Sequence, residues 1–241
     1  MTSTTTPADE PATGARRHKT SDERTKEAEA FIKGLEKYVP TDERKGDRAA
    51  LAALRRGLGK DVGAAPEMFP YIVPLLPPSL AHWDERHFYL ASSLFALYPV
   101  IWPEGKERQS LGKTMRLFAL DRATERGGTE ADEDEASVGL GRLDKAVERR
   151  FVALLNADAD GESFTTHLRH AVTLLKSGKY PQPIDWTQLL IDLRAWSAPT
   201  RYTQKQWARD FWSPGQQSDK ATPIGDEKDT DGSSDTTTTL S

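Results

Sequence analysis

Apolar positions recur every three to four residues along most of the central chain, the period of a helix with one buried stripe. Over 22–39 the stripe is Ala28, Phe31, Ile32 and Leu35, and Pro40 ends the segment. Asp47 stands where its carboxylate caps a second helix bearing Leu51, Leu54 and Leu58, before Gly59 and Gly63 weaken the pattern. The stretch 66–78 places five prolines among Met68, Phe69, Tyr71, Ile72, Val73, Leu75 and Leu76, which predicts an apolar but irregular connection. Segment 83–98 is apolar nearly all round (Phe88, Leu90, Leu94, Phe95, Leu97), so it predicts a central, buried helix. A shorter amphipathic helix is predicted over 111–123.

The second half is more regular. Segment 138–155 aligns Leu140, Leu143, Val147, Phe151, Leu154 and Leu155, and 164–175 repeats the pattern with Leu168, Ala171, Val172 and Leu175. Asp185 caps a helix carrying Trp186, Leu189, Leu190, Leu193 and Trp196, and a last helix over 200–212 carries Tyr202, Trp207 and Phe211. No stretch alternates over six residues with β-branched enrichment, which argues against a sheet. The expectation is an all-α protein, a two-lobed helical bundle with lobes 22–124 and 138–212 joined by a flexible acidic loop, 125–137. The tails, 1–21 and 213–241, have almost nothing to bury and are expected to be disordered.

Charge refines this picture. The 241-residue chain carries a net charge of −4, which at face value disfavours nucleic acid. The segment 214–241 holds −4 by itself and 130–135 holds −5, whereas 1–22 is balanced, so the segments expected to fold carry +5. That excess permits an anionic partner. The absence of cysteine excludes a disulfide framework, a thiolate zinc site and a cysteine nucleophile. Apolar runs are short and broken by proline, and the first residues lack an apolar core, so neither a membrane span nor a secretory signal is expected, and a soluble cytoplasmic protein is.

Nothing points to an enzyme, a cofactor or a metal. His167 and His170 share a helical face, but two histidines alone do not make a site, and His82 and His87 diverge around their helix. The acidic run 130–135 lacks the spacing and glycine of a calcium loop, and neither a phosphate loop nor a nucleophile elbow occurs. What recurs is base beside apolar stripe: Arg48, Arg55, Arg56, Arg86, Lys113, Arg116, Arg149, Arg150, Arg169, Lys176, Arg194, Arg201, Lys205 and Arg209. Each taken alone fits a solvated helix face; together they fit a groove that follows a phosphate backbone without reading sequence. Trp186 and Trp196 share the stripe of Leu189, Leu190 and Leu193, which assigns them to the core rather than to base stacking.

The order of several strings carries a resemblance: E-R-R-F-V-A-L-L-N-A-D at 148–158, H-L-R-H-A-V-T-L-L-K at 167–176, I-D-W-T-Q-L-L-I-D-L-R-A-W at 184–196 and Q-W-A-R-D-F-W at 206–212. With R-A-A-L-A-A-L-R-R at 48–56 and S-L-G-K at 110–113, these resemble the CasB family, the small subunit of the type I-E CRISPR surveillance complex Cascade, over roughly 31–212. The resemblance implies a non-catalytic, all-helical subunit present twice per complex, head to tail beside the backbone subunits (CasC), with CasA and CasE as further partners. It also implies that a basic surface binds guide RNA and the target and displaced DNA strands and holds the R-loop open. Carried onto this chain, the contacts fall on Arg55, Arg56, Arg86, Lys113, Arg150, Arg169, Arg201 and Lys205, with Arg149 beside them in E-R-R. Asn156 and His170 stand where relatives often have arginine, which implies weaker contacts there. The alternative is a purely structural scaffold that bridges other Cascade subunits without touching nucleic acid.

Overall fold

The computed structural model describes residues 20–127, 143–158, 161–179 and 182–213. Of the expected tails, 1–19 and 214–241 lie outside them, whereas Thr20 and Ser21 begin the first helix. Of the expected acidic loop 125–137, residues 128–137 lie outside and 125–127 continue the preceding helix instead. Among the described residues the architecture is all-α. Helices α1 (Ser21–Glu36) and α2 (Arg48–Arg55) lead into a 3-10 turn (Pro66–Met68), the short α3 (Phe69–Ile72) and a second 3-10 turn (Val73–Leu75). Then follow α4 (His82–Leu97), α5 (Leu111–Gly127), α6 (Lys145–Asn156), α7 (Glu162–Lys176), α8 (Trp186–Ala195) and α9 (Tyr202–Trp212). The proline-rich stretch read as irregular is thus a chain of tight turns, because a proline early in each turn lacks only an N–H that would be unsatisfied there anyway.

The starts follow local chemistry. Asp47 accepts from the Ala50 amide and Asp185 from the Gln188 amide, each capping its helix as the sequence predicts. At α1 the cap is Thr20, reciprocated by Glu23 in a capping box. Asp144 caps α6 by accepting from the Ala146 and Val147 amides.

One cluster of buried side chains joins elements from both halves of the sequence. Within it α1 lies on α8, α4 on α2, α7 and α8, and α5 on α6 and α9. Trp186, Trp196 and Trp207 are all buried there, as expected for the first two. α4 is buried nearly all round, from Asp84 to Ala96.

Two bases that sequence periodicity leaves among the solvated ones, Arg194 and Arg116, are structural, and so is Arg108. Arg194 is buried: its Nη2 lies 2.7 Å from Asp84 Oδ2 and 3.0 Å from Glu27 Oε2, its Nη1 donates to the Arg24 carbonyl, and its guanidinium lies over the Phe88 ring. This one side chain ties α1, α4 and α8. Arg116 is also buried and donates to the Phe211 carbonyl at 2.7 Å, joining α5 to α9. Arg108 joins Glu29 of α1 to Asp185 at the start of α8.

Asp192 shows the opposite electrostatics. Its carboxyl is buried and receives Trp207 Nε1–H at 2.6 Å and Gln188 Nε2–H at 2.9 Å. Burial raises its pKa from 3.8 to about 6, against the lowering effect of those two donors and with help from the nearby Asp185 and Asp210. Between these values the unfolded chain has released the proton and the folded chain holds it, so stability falls as pH rises through that window. Asp192→Asn keeps an acceptor for Trp207 and removes the charge. It is expected to flatten the dependence of denaturation midpoint on pH between about 4 and 7 and to gain about 1–3 kcal/mol near neutral pH. An unchanged pH profile would show that Asp192 is ionised at no cost.

Candidate nucleic-acid interface

With Arg116 and Arg194 in the core, most of the remaining candidate bases fall into two groups. The first surrounds α9. Arg201 stands in the left-handed conformation (φ 50°) and its Nη2 donates to the Leu155 carbonyl at 2.7 Å, which anchors the start of α9 on the end of α6. Lys205 follows one turn later, its amide donating to the Arg201 carbonyl, and Arg209 one turn after that; both side chains are exposed. Lys113 lies on the first turn of α5, beside α9: Ser110 donates to Asp210, and Gly112 is pressed against the Trp207 backbone. Lys113, Arg201 and Lys205 are therefore brought onto neighbouring helices, with Arg209 added.

The second group borders a cleft of about 440 Å³ between the 57–65 loop, α4 and the start of α7. Arg86 lines it together with Lys60, His87, Thr165 and Thr166, above an apolar floor that includes Met68, Leu90 and Phe164. Arg169 lies one turn beyond Thr165 on α7 and is exposed. Lys176, two turns further, donates to the Leu97 carbonyl at the end of α4, so the α4–α7 valley carries bases along its length. Arg55 and Arg56 lie at the end of α2, which packs on α4, just before the loop that forms one wall.

Arg150 and Arg149 lie apart from both groups in their fixation: each is on the outer face of α6 and donates back to the carbonyl four residues earlier. Arg55 does the same, to Leu51. Arg56 stands 3.7 Å from the Glu67 carboxylate, a pair of two exposed side chains that is worth little. Arg55, Lys113, Arg149, Arg150, Arg169, Arg201 and Lys205 make no ion pair among the described residues.

Two residues were not legible as part of this surface. Lys60 follows Gly59, whose φ of 79° turns the chain after α2 and brings the lysine to the cleft. The sequence placed Tyr202 with the apolar stripe of α9, yet it is 64% exposed. Tyr202 is five residues from Trp207, well over a quarter-turn off the buried line.

His87 is buried, with Nδ1 3.1 Å from Asp84 Oδ1. Burial would raise the Asp84 pKa, but hydrogen bonds and charge from His87 and Arg194 outweigh it and hold the carboxyl below its ordinary range. His167 is half-buried and His170 exposed, and among the described residues no three His, Cys, Asp or Glu side chains stand as a metal-binding group. No helix among them is long and apolar enough to cross a membrane.

The profile of the family described as CRISPR-associated protein Cse2 matches residues 50–212. A CRISPR-associated protein Cse2 from Thermus thermophilus is 34% identical over 168 residues, covering 69% of this chain and 80% of the relative. The crystal structure of a Cse2-family protein from the same organism superposes with a TM-score of 0.55 at 30% identity, over 76% of this chain and 96% of that one. A chain of a CRISPR RNA-guided surveillance complex shares the fold with a TM-score of 0.51 at 24% identity, over 78% of this chain and 92% of its own. A family profile that spans most of the described helices, and a relative of this identity matched over most of its length, place the chain in the CRISPR-associated Cse2 family, also called CasB.

Proposed function

We propose that this protein is the small subunit of a type I-E Cascade surveillance complex, and that it stabilises the R-loop by sequence-independent contact with nucleic acid backbone, without chemistry of its own. The observation that carries this reading is the sorting of the bases. Arg116 and Arg194, with buried carbonyl or acidic partners, hold helices together. Lys113, Arg169 and Lys205 are exposed, make no ion pair among the described residues, and lie on α5, on α9 and along the α4–α7 valley; Arg201 is exposed beside them but also holds the start of α9 on the Leu155 carbonyl. Replacing a DNA duplex by an RNA–DNA hybrid is nearly balanced, so a few phosphate contacts suffice to tip it. Each contact releases counterions and reads no base. In this reading the partners are the CasC backbone, CasA, CasE, a second copy of this chain, the guide RNA and the target and displaced strands. Membership of the family and the shared fold of a surveillance-complex chain support it.

Lys113→Glu with Lys205→Glu tests it, because both side chains are exposed and neither holds a helix in place. In the reconstituted complex the pair is expected to lower R-loop formation on the order of tenfold and to reduce the slope of log affinity against log salt by about 2. Normal assembly with unchanged R-loop yield and unchanged slope would sink the reading and leave the scaffold role. That second role draws on one observation, the exposed apolar side chains of Val62, Phe69 and Val73 along and just before the proline-rich turns, which suit contact with another protein.

A further inference from the structure

We propose that Tyr202 is a stacking post for an unpaired base, so that the α9 face takes a single strand by base as well as by phosphate. This rests on the reading of that face as a nucleic-acid surface and adds a contact that cations do not supply.

Among the described residues Tyr202 is the most exposed of the large apolar side chains, at 64%, although it opens a helix whose other aromatic residues, Trp207, Phe211 and Trp212, all pack inward or against neighbours. Its ring meets no aromatic ring or cation among the described residues. Its backbone is nevertheless held firmly, since Arg201 is pinned to the Leu155 carbonyl and the Lys205 amide closes the first turn on Arg201. Around the helix, Tyr202, Lys205 and Arg209 follow at spacings of three and four and share the outward face, while Thr203, Gln204, Trp207 and Phe211 are buried on the other. The arrangement is an aromatic face flanked by cations one and two turns along, on a rigid support. That combination binds single strands: phosphates are held by the bases of the protein, and a nucleobase lies on the ring. A duplex keeps its bases stacked on one another and offers none, so Tyr202 separates single strand from duplex where Lys205 and Arg209 do not. Among the described residues Trp83 is also strongly exposed, at 54%, three residues before Arg86, but the position four beyond Arg86 is Leu90, so the second flanking cation that Arg209 supplies to Tyr202 is missing there.

The test uses the full chain at low salt with three labelled probes: an oligothymidylate of about 20 nucleotides, an abasic strand with the same number of phosphates, and a duplex of the same length. Tyr202→Ala is expected to weaken oligothymidylate binding about tenfold, to leave the abasic strand and the duplex unchanged, and to leave the salt slope unchanged. Tyr202→Phe keeps the ring and is expected to bind as the parent does. Lys205→Glu is expected to weaken all three probes. Equal losses on oligothymidylate and abasic strand in Tyr202→Ala, or no loss on either, would overturn the stacking role. If that happens while Lys205→Glu still weakens binding, the phosphate-binding surface stands and only the stacking falls. If the parent chain binds none of the probes, the stacking role falls, and the phosphate-binding reading is decided by the Lys113→Glu with Lys205→Glu pair in the reconstituted complex.

Discussion

Arg194→Ala is expected to lower folding stability by about 3–5 kcal/mol, measured as a shift of the denaturant midpoint, because it takes the guanidinium away from the buried Asp84 carboxylate and from the partly buried Glu27. The side chain is only 2% exposed, and its partners Asp84 and Glu27 are 6% and 17% exposed, so water cannot replace it. Asp84 would keep His87 but lose both of the Arg194 hydrogen bonds that hold its carboxyl below the ordinary range. In the parent, that lowered carboxyl adds stability above its ordinary pKa of 3.8 and forfeits it as pH falls further. In Arg194→Ala the burial effect is opposed by His87 alone, so the loss is expected to be greatest near neutral pH and smaller in acid. Arg194→Met separates charge from bulk. Equal losses in Met and Ala assign the effect to the uncompensated carboxylates, whereas a stable Met variant would show that the arginine serves mainly by packing over Phe88.

Gly112→Val is the second variant expected to act strongly. A Cβ at Gly112 would stand 2.8 Å from the Cα and 2.9 Å from the carbonyl carbon of Trp207, and a backbone cannot swing aside as a side-chain tip does. α5 and α9 would have to separate along the seam where Arg116 donates to Phe211 and Ser110 to Asp210. Gly112→Ala is expected to cost about 1–3 kcal/mol and Gly112→Val more, read by thermal unfolding. Because Lys113 follows directly, the same displacement would move it relative to Lys205, so the binding of nucleic acid would weaken as well. A Gly112→Val protein with the parent's unfolding temperature would mean that this seam is looser than the contact implies.

The features legible in the sequence are those set by neighbours within a few residues. Asp47 and Asp185 announce their helices because a cap acts on amides three residues on, and the all-round apolarity of 83–98 foretells the burial of α4. The role of Arg194 is set by partners 110 and 167 residues away, so no local pattern distinguishes it from Arg169 or Lys205. Arg116 is the same case, its acceptor lying 95 residues on. The glycine of S-L-G-K, in contrast, was marked by its motif but not by its reason, which is the proximity of α9. Among the surface bases the residue types were readable, and the grouping was not: it follows from α5 beside α9 and α4 beside α7, which depend on the whole core.

The pairing of α1 with α8 also sets a timetable for the newborn chain. The first of these helices to leave the ribosome carries Phe31, Ile32 and Leu35, and although Phe31 meets Phe88 of α4, the helix lies chiefly on α8, in the last third of the polypeptide. Until that part has been synthesised α1 has only part of its core to join, so this side of the protein closes late, whereas α2 can already pack on α4. A ribosome-bound intermediate halted before α8 would present this apolar surface to any chaperone within reach.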